Sequence, residues 1–177
     1  MSDSPNRSYE KIMRADLKRL QRLALGYFND LFDRKPEGTG RLRNHLAMLC
    51  LVQGAAEHYV RGLRGVRDFD ILAIFREVPD LAYPARLLLS VDYGPSKFGS
   101  DPDEPWLTGR KVDLVGRSIE IRLSETPVES VQRYLAAGRT ESSRLWAQRP
   151  LVALWPTTLF PKVVWDKGQP QTGLVRC

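Results

Sequence analysis

Two acidic residues one position apart, in Asp68-Phe69-Asp70, open directly into the apolar run Ile71-Leu72-Ala73-Ile74-Phe75. Side chains on a strand alternate with period two, so an extended 68–75 turns both carboxylates to one side. Two such charges repel each other, and beside Ile and Leu they are costly to bury without a partner. A magnesium ion supplies that partner, because it takes oxygen ligands, commonly one or two carboxylates completed by substrate phosphates. A third carboxylate, Asp113, sits in a second apolar run, Gly109-Arg110-Lys111-Val112-Asp113-Leu114-Val115. Upstream, Gly54 follows the apolar stretch 46–52 and precedes Ala55-Ala56-Glu57-His58-Tyr59-Val60, a short-helix candidate. A glycine at a helix start lets phosphate approach the backbone N–H groups. Taken together, these residues predict a divalent cation held against a polyphosphate.

Other groups compete for roles. Asp92, in Ser90-Val91-Asp92-Tyr93-Gly94, is a second candidate for the third carboxylate, although an Asp near a strand end commonly forms a turn. Arg61, Arg64 and Arg67 are spaced three apart between Gly54 and Asp68, and read equally as solvated loop charges or as phosphate ligands. Glu57 and His58 read as a surface pair on a helix. With His45 and His58 the only histidines, a histidine metal site is not expected, and no Ser-His-Asp or Cys-His arrangement is present. Trp146, Trp155 and Trp165 read as core or interface anchors.

The ordered set Gly54, Asp68, Asp70, Asp113 resembles the nucleotidyltransferase superfamily that shares the polymerase-beta-like catalytic core. Its pattern is a glycine turn, a short helix, Asp-x-Asp on a strand, and a third Asp on a neighbouring strand. The Gly109–Val115 run looks like the third-carboxylate strand of small bacterial members, the minimal and the toxin- or antitoxin-type enzymes. Arg64, four residues before Asp68, matches an arginine of a toxin-type branch. The resemblance covers about 46–116. It implies that Asp68, Asp70 and Asp113 bind Mg2+ or Mn2+, and that Gly54, Ala55, Arg64 and Arg67 lie against a nucleoside triphosphate such as ATP. It also implies that a nucleoside monophosphate passes to a hydroxyl of RNA, a protein or a small molecule. The chain departs from the pattern twice: Ala55 stands where a hydroxyl or second glycine is usual, and Val66-Arg67 replaces the Ser or Thr before Asp-x-Asp. Those departures fit a second reading, a catalytically degenerate module that binds nucleotide or nucleic acid.

The elements that must position these residues are partly legible. Met13, Leu17, Leu20, Ala24, Tyr27, Phe28 and Leu31 recur at steps of three and four and predict a long helix over 8–33. Lys11, Arg14, Lys18 and Arg22 line another face, read as solvated rather than as a nucleic-acid ridge. Residues 34–40 break the chain. The run 42–52 is a buried helix end or a strand, 71–75 a central strand, 86–93 a further strand, 94–105 an acidic loop, and 111–115 a strand again. Thr126-Pro127-Val128-Glu129 places a capping hydroxyl, a proline at N1 and a glutamate at N3, so a helix starts there and ends by Gly138. Thr140 caps a second short helix that stops before Pro150. The expected fold is α/β (α+β), a small mixed sheet flanked by helices. It forms one domain with its core over about 42–123, a helical extension over 124–165 and a loose tail from 166 to 177.

At 177 residues the chain is long enough for one domain with a real core. Its hydrophobic content of 42% and charged content of 27% exclude wholesale disorder. A net charge of +6 leans toward a polyanionic partner. Cys50 lies in an apolar run and Cys177 is the last residue; neither has zinc-ligand spacing, and a reducing cytoplasm is expected. Residues 1–5 are polar, with no secretory h-region. No apolar stretch nears the roughly 20 residues that cross a bilayer.

Overall fold

A computed structural model describes residues 6–84 and 87–167. The chain runs α1 (Arg14–Arg34), a 3-10 helix (Thr39–His45), β1 (Leu46–Val52), α2 (Gln53–Arg61), β2 (Phe69–Arg76), β3 (Leu88–Asp92) and β4 (Lys111–Ile119). It continues through α3 (Pro127–Ala137), α4 (Glu141–Trp146), β5 (Leu151–Trp155) and β6 (Val163–Trp165). All six strands join one sheet in the order β3-β4-β2-β1-β5-β6. Only β2 and β4 run parallel; the other pairs are antiparallel, so this is a mixed sheet in an α+β fold.

The two faces of the sheet explain the sequence pattern. β1 and β2 lie in the middle of the sheet and are apolar almost throughout, as strands covered on both faces must be. On one face Leu49, Leu51, Phe69, Ile71, Ala73, Phe75, Val112 and Leu114 pack against α1 and α2. On the other, Met48, Cys50, Leu72, Ile74 and Ile119 pack against α3, α4, Trp146 and Trp165. β4 alternates instead, with Val112, Leu114 and Gly116 buried and Lys111, Asp113, Val115 and Arg117 half-buried. That alternation leaves part of the second face open at its β3–β4 side.

Several expectations need revision. The first helix starts at Arg14 rather than at residue 8, because Met13 is its N-cap and the Asp16 carboxylate accepts the Met13 backbone N–H at 2.7 Å. Ser8 pairs with Val66 as an isolated bridge instead. Lys11 is therefore outside the helix, and Met13 is half exposed rather than part of the buried stripe. The stretch 42–52 divides into a 3-10 turn and a strand. Strand β3 covers Leu88–Asp92, while Arg86 lies outside the described residues. The extension beyond 124 is helical only as far as Trp146. β5 then returns to the sheet beside β1, with β6 at its outer side, because Leu151-Val152-Ala153-Leu154 is an apolar run that needs cover on both faces. Of the expected loose tail, Asp166 is tied by an ion pair to Arg61, and residues 168–177 lie outside the described residues.

Both capping predictions match the geometry. Thr126 Oγ1 accepts from Glu129 N at 3.2 Å and Glu129 Oε2 accepts from Thr126 N at 2.7 Å; Gly138 closes the helix with φ +53°. Thr140 caps α4 through Ser143 N. The acidic loop 94–105 is folded down rather than free: Phe98 and Asp101 are buried, and the Arg110 guanidinium beneath it donates to Phe98 O at 2.8 Å.

Candidate functional site

One rung of the sheet gathers the candidates. Ser90 on β3 lies opposite Asp113 on β4, Asp113 opposite Asp70 on β2, and Asp70 opposite Val52, the last residue of β1. Register partners share a face, so Asp70 and Asp113 project to the same side, and Asp68 enters two residues before Asp70. The chain after Val52 turns immediately into α2, so the start of that helix stands beside the acidic rung. A parallel β2–β4 pair makes this possible, because both strands begin at the same end of the sheet.

The electrostatics follow from that placement. Burial, then the charges of Asp68 and Asp113, pushes the Asp70 carboxyl up to about 7. Asp68 is raised by burial, with Arg67 opposing and Asp113 adding to the rise. Ser90 Oγ donates to Asp113 Oδ1, and Lys111 Nζ lies 3.4 Å from Asp113 Oδ2 and 3.8 Å from Glu104 Oε1. Lys111 therefore stands at the rim of the acidic group. Its charge also lowers Asp68 and Asp70. Among the described residues no three His, Cys, Asp or Glu side chains are already gathered around a common point to hold a metal. The donor chemistry nonetheless suits Mg2+ or Mn2+: Asp70 and Asp113 are register partners with Asp68 just before the strand, and the Asp70 carboxylate forms no ion pair or hydrogen bond among the described residues.

At the helix start, Gln53, the residue before Gly54, lies in the left-handed region with φ +58°. That conformation costs a non-glycine residue roughly 1–2 kcal/mol, and strain of this kind collects at functional turns. Gly54 has only the Arg7 guanidinium near the place a Cβ would occupy, at 3.9 Å, and Ala55 is buried in the core. Among the described residues no side chain caps α2, so its first N–H groups keep their capacity for an anion. Gln53→Gly is expected to raise the thermal midpoint by roughly 1–3 °C, the relieved strain being partly offset by the freer unfolded chain. A lower midpoint would show that the Gln53 side chain stabilises the turn.

The arginines separate. Arg64 Nε lies 2.8 Å from Glu57 Oε2, Arg149 Nε 3.6 Å from the same oxygen, and Arg61 3.7 Å from Glu57 Oε1. Glu57 is thus the hub of three guanidinium groups, one of which, Arg149, also acts on Asp70. Arg149 lies far from the motifs in sequence and carries no local signal, so only the return of β5 to the sheet reveals it. Arg67 turns away to Asp103, at 2.9 Å. Glu57 and His58 are not a surface pair: His58 is buried, with Nε2 3.1 Å from Glu10 O.

Asp92 is structural. Its carboxylate accepts from Gly94 N, Thr108 N, Thr108 Oγ1 and Gly109 N at 2.6–2.9 Å, and these bonds hold it near 2 despite the opposing effect of burial. Trp146 and Trp165 are buried in the second core, as expected of anchors. Burial pushes the Cys50 thiol far up, which excludes it as a nucleophile; Cys177 lies outside the described residues. Among the described residues no helix is long and apolar enough to cross a membrane. No protein-family profile, curated protein or solved structure matches this chain.

Proposed function

We propose that the protein is a metal-dependent nucleotidyltransferase that moves a nucleoside monophosphate from a triphosphate to a hydroxyl acceptor. The observation that carries this reading is the rung Asp70–Asp113, in register on parallel strands beside an uncapped helix start, with the Asp70 carboxyl raised to about 7 by burial and like charge. Apolar surroundings and two further carboxylates make an arrangement that a divalent cation would relieve.

Asp68, Asp70 and Asp113 would hold Mg2+ or Mn2+. When bound, such an ion neutralises phosphate charge and stabilises the attacking and leaving oxygens of an in-line displacement. The N–H groups of Gly54 and Ala55 at the start of α2 bind the outer phosphates, with Arg64 and Arg149 adding charge from the Glu57 hub. Arg67, held by Asp103, contributes at longer range. Asp113 orients the acceptor hydroxyl and takes its proton. The acceptor oxygen bonds to the α-phosphorus as the bond to the bridging oxygen breaks and pyrophosphate leaves. The basic balance favours RNA as acceptor over a protein or a small molecule.

A second reading, a catalytically silent module that binds nucleotide or nucleic acid, is favoured by Lys111, whose ammonium neutralises Asp113 without any metal. The two are separated by incubating wild type, Asp68→Ala and Asp113→Ala with magnesium, each α-labelled triphosphate, bulk tRNA and cell extract. Label transferred by wild type alone supports the enzyme. Magnesium-dependent nucleotide binding without transfer supports the silent module. Nucleotide affinity equal in all three proteins would falsify the metal mechanism.

A further inference from the structure

Beyond the acidic rung, the open side of the second face continues into a cavity of ≈ 210 Å³ between β3, β4 and α4. Val115 forms its apolar floor, its exposed register partner Leu88 lies at the mouth, and Trp146 forms a wall. Arg117 stands at the far end, its guanidinium 5.6 Å from the Trp146 ring and donating to Ser142 Oγ at 3.3 Å. Arg117 Nε is buried and has no hydrogen-bond partner among the described residues. An unsatisfied buried donor of this kind is costly unless something supplies an acceptor. Leu88 is 58% exposed, an unusual state for a leucine beside an apolar recess.

The position of the cavity relative to the rung matters. Asp113, Val115 and Arg117 follow one another on the same side of β4, and each pair of residues along a strand advances about 6.6 Å. The outer phosphates belong at the α2 start, so the line from leaving group to attacking hydroxyl runs across the strands, over Asp70 and Asp113. The nucleoside is attached off that line. A cavity displaced along β4, rather than across the sheet, therefore faces the sugar and base and not the acceptor. Its make-up agrees: an apolar floor, an indole wall and one cation suit a flat heteroaromatic ring, and the volume is too small for a folded partner.

We infer that this cavity is the nucleobase site of the proposed triphosphate substrate, and that Arg117 selects bases carrying carbonyl acceptors over adenine. A guanidinium only donates. Guanine offers adjacent O6 and N7 acceptors and pyrimidines offer carbonyl oxygens, whereas adenine sets an amino donor beside N7. The inference rests on the nucleotidyltransferase reading, and its test separates the two.

Equilibrium binding in magnesium is measured for GTP, CTP, UTP, ATP and inorganic tripolyphosphate, using wild type, Arg117→Met, Leu88→Trp and Asp70→Asn. Leu88 is on an exposed edge strand, so its replacement blocks the cavity mouth without disturbing the core. The expected result is that at least one carbonyl-bearing triphosphate binds wild type roughly tenfold tighter than ATP. Arg117→Met and Leu88→Trp should erase that preference and leave tripolyphosphate affinity unchanged. Equal binding of all five ligands, a preference for ATP, or discrimination that survives Arg117→Met overturns the base site. If tripolyphosphate still binds and Asp70→Asn weakens it, the nucleotidyltransferase reading stands without the base site. If neither triphosphates nor tripolyphosphate bind, both fall. Loss of acceptor use in Arg117→Met with nucleotide affinity unchanged assigns the cavity to the acceptor and likewise overturns the inference.

Discussion

Asp70→Asn, with metal removed by a chelator, is expected to melt higher than wild type at pH 8, and by a clearly smaller margin at pH 5. Burial and two neighbouring carboxylates raise Asp70 in the folded chain to about 7, from the ordinary carboxylate range. Between those values the folded state holds a proton that the unfolded chain releases, so stability falls as pH rises through this window. Below it the proton is present in both states and Asn gains nothing. Above it an ionised, largely buried Asp70 costs the fold on the order of 4 kcal/mol, and Asn removes that cost, raising the midpoint by roughly 8–16 °C. Magnesium should reverse the order, stabilising wild type above pH 7 but not the variant, and its binding at pH 6 should release protons in calorimetry. A midpoint for Asp70→Asn at or below wild type at pH 8 in chelator would remove the electrostatic basis of the site. Identical wild-type melts with and without magnesium would remove its metal.

The second large effect is structural and acts at the β3–β4 loop. A Cβ at Gly109 would lie 1.9 Å from Gly94 O and 2.5 Å from Gly94 C. Both atoms are backbone, and the Asp92 carboxylate binds the N–H groups of Gly94 and Gly109 together, so neither side has room to give. Gly109→Ala should cost more than about 3 kcal/mol, at the extreme of single substitutions, and lower the midpoint by roughly 10 °C. It should also weaken magnesium binding, since the same loop anchors Asp101 to Lys111 and so the approach to Asp113. Gly26→Ala is the contrasting case. Nothing lies within 4 Å of its Cβ in an exposed part of α1, and helix propensity predicts a gain of up to about 1 kcal/mol. Equal melts for these two variants would contradict the close approach of 94 and 109.

Much of the architecture was legible because its signals are local. The cap at Thr126 depends on hydroxyl and carboxylate groups three residues apart, and the central strand on a run of five apolar residues. The apolar stripe of α1 was readable for the same reason, but its start was not. Met13 is a poor capping residue, and Asp16 supplies the bond from inside the helix. Strands β5 and β6 are not legible in the sequence, because a short apolar run between prolines carries no mark of its partner and the pairing of β5 with β1 is a long-range event.

The acidic site divides in the same way. Residue types and spacing determined by themselves that Asp70 opens a central strand just after Asp68, that Asp113 lies on another strand, and that a helix starts near Gly54. Tertiary structure alone decided that β2 and β4 run parallel with Asp70 opposite Asp113, that Arg149 rather than Arg67 joins the Glu57 hub, and that Asp92 closes a loop instead of joining the acids. It also put Lys111 against Asp113 and left a cavity beside Arg117. The physical reason is one of range. Capping, periodicity and turn chemistry act over a few bonds, whereas burial and Coulomb interaction depend on which strands become neighbours, and no short stretch of the chain encodes that.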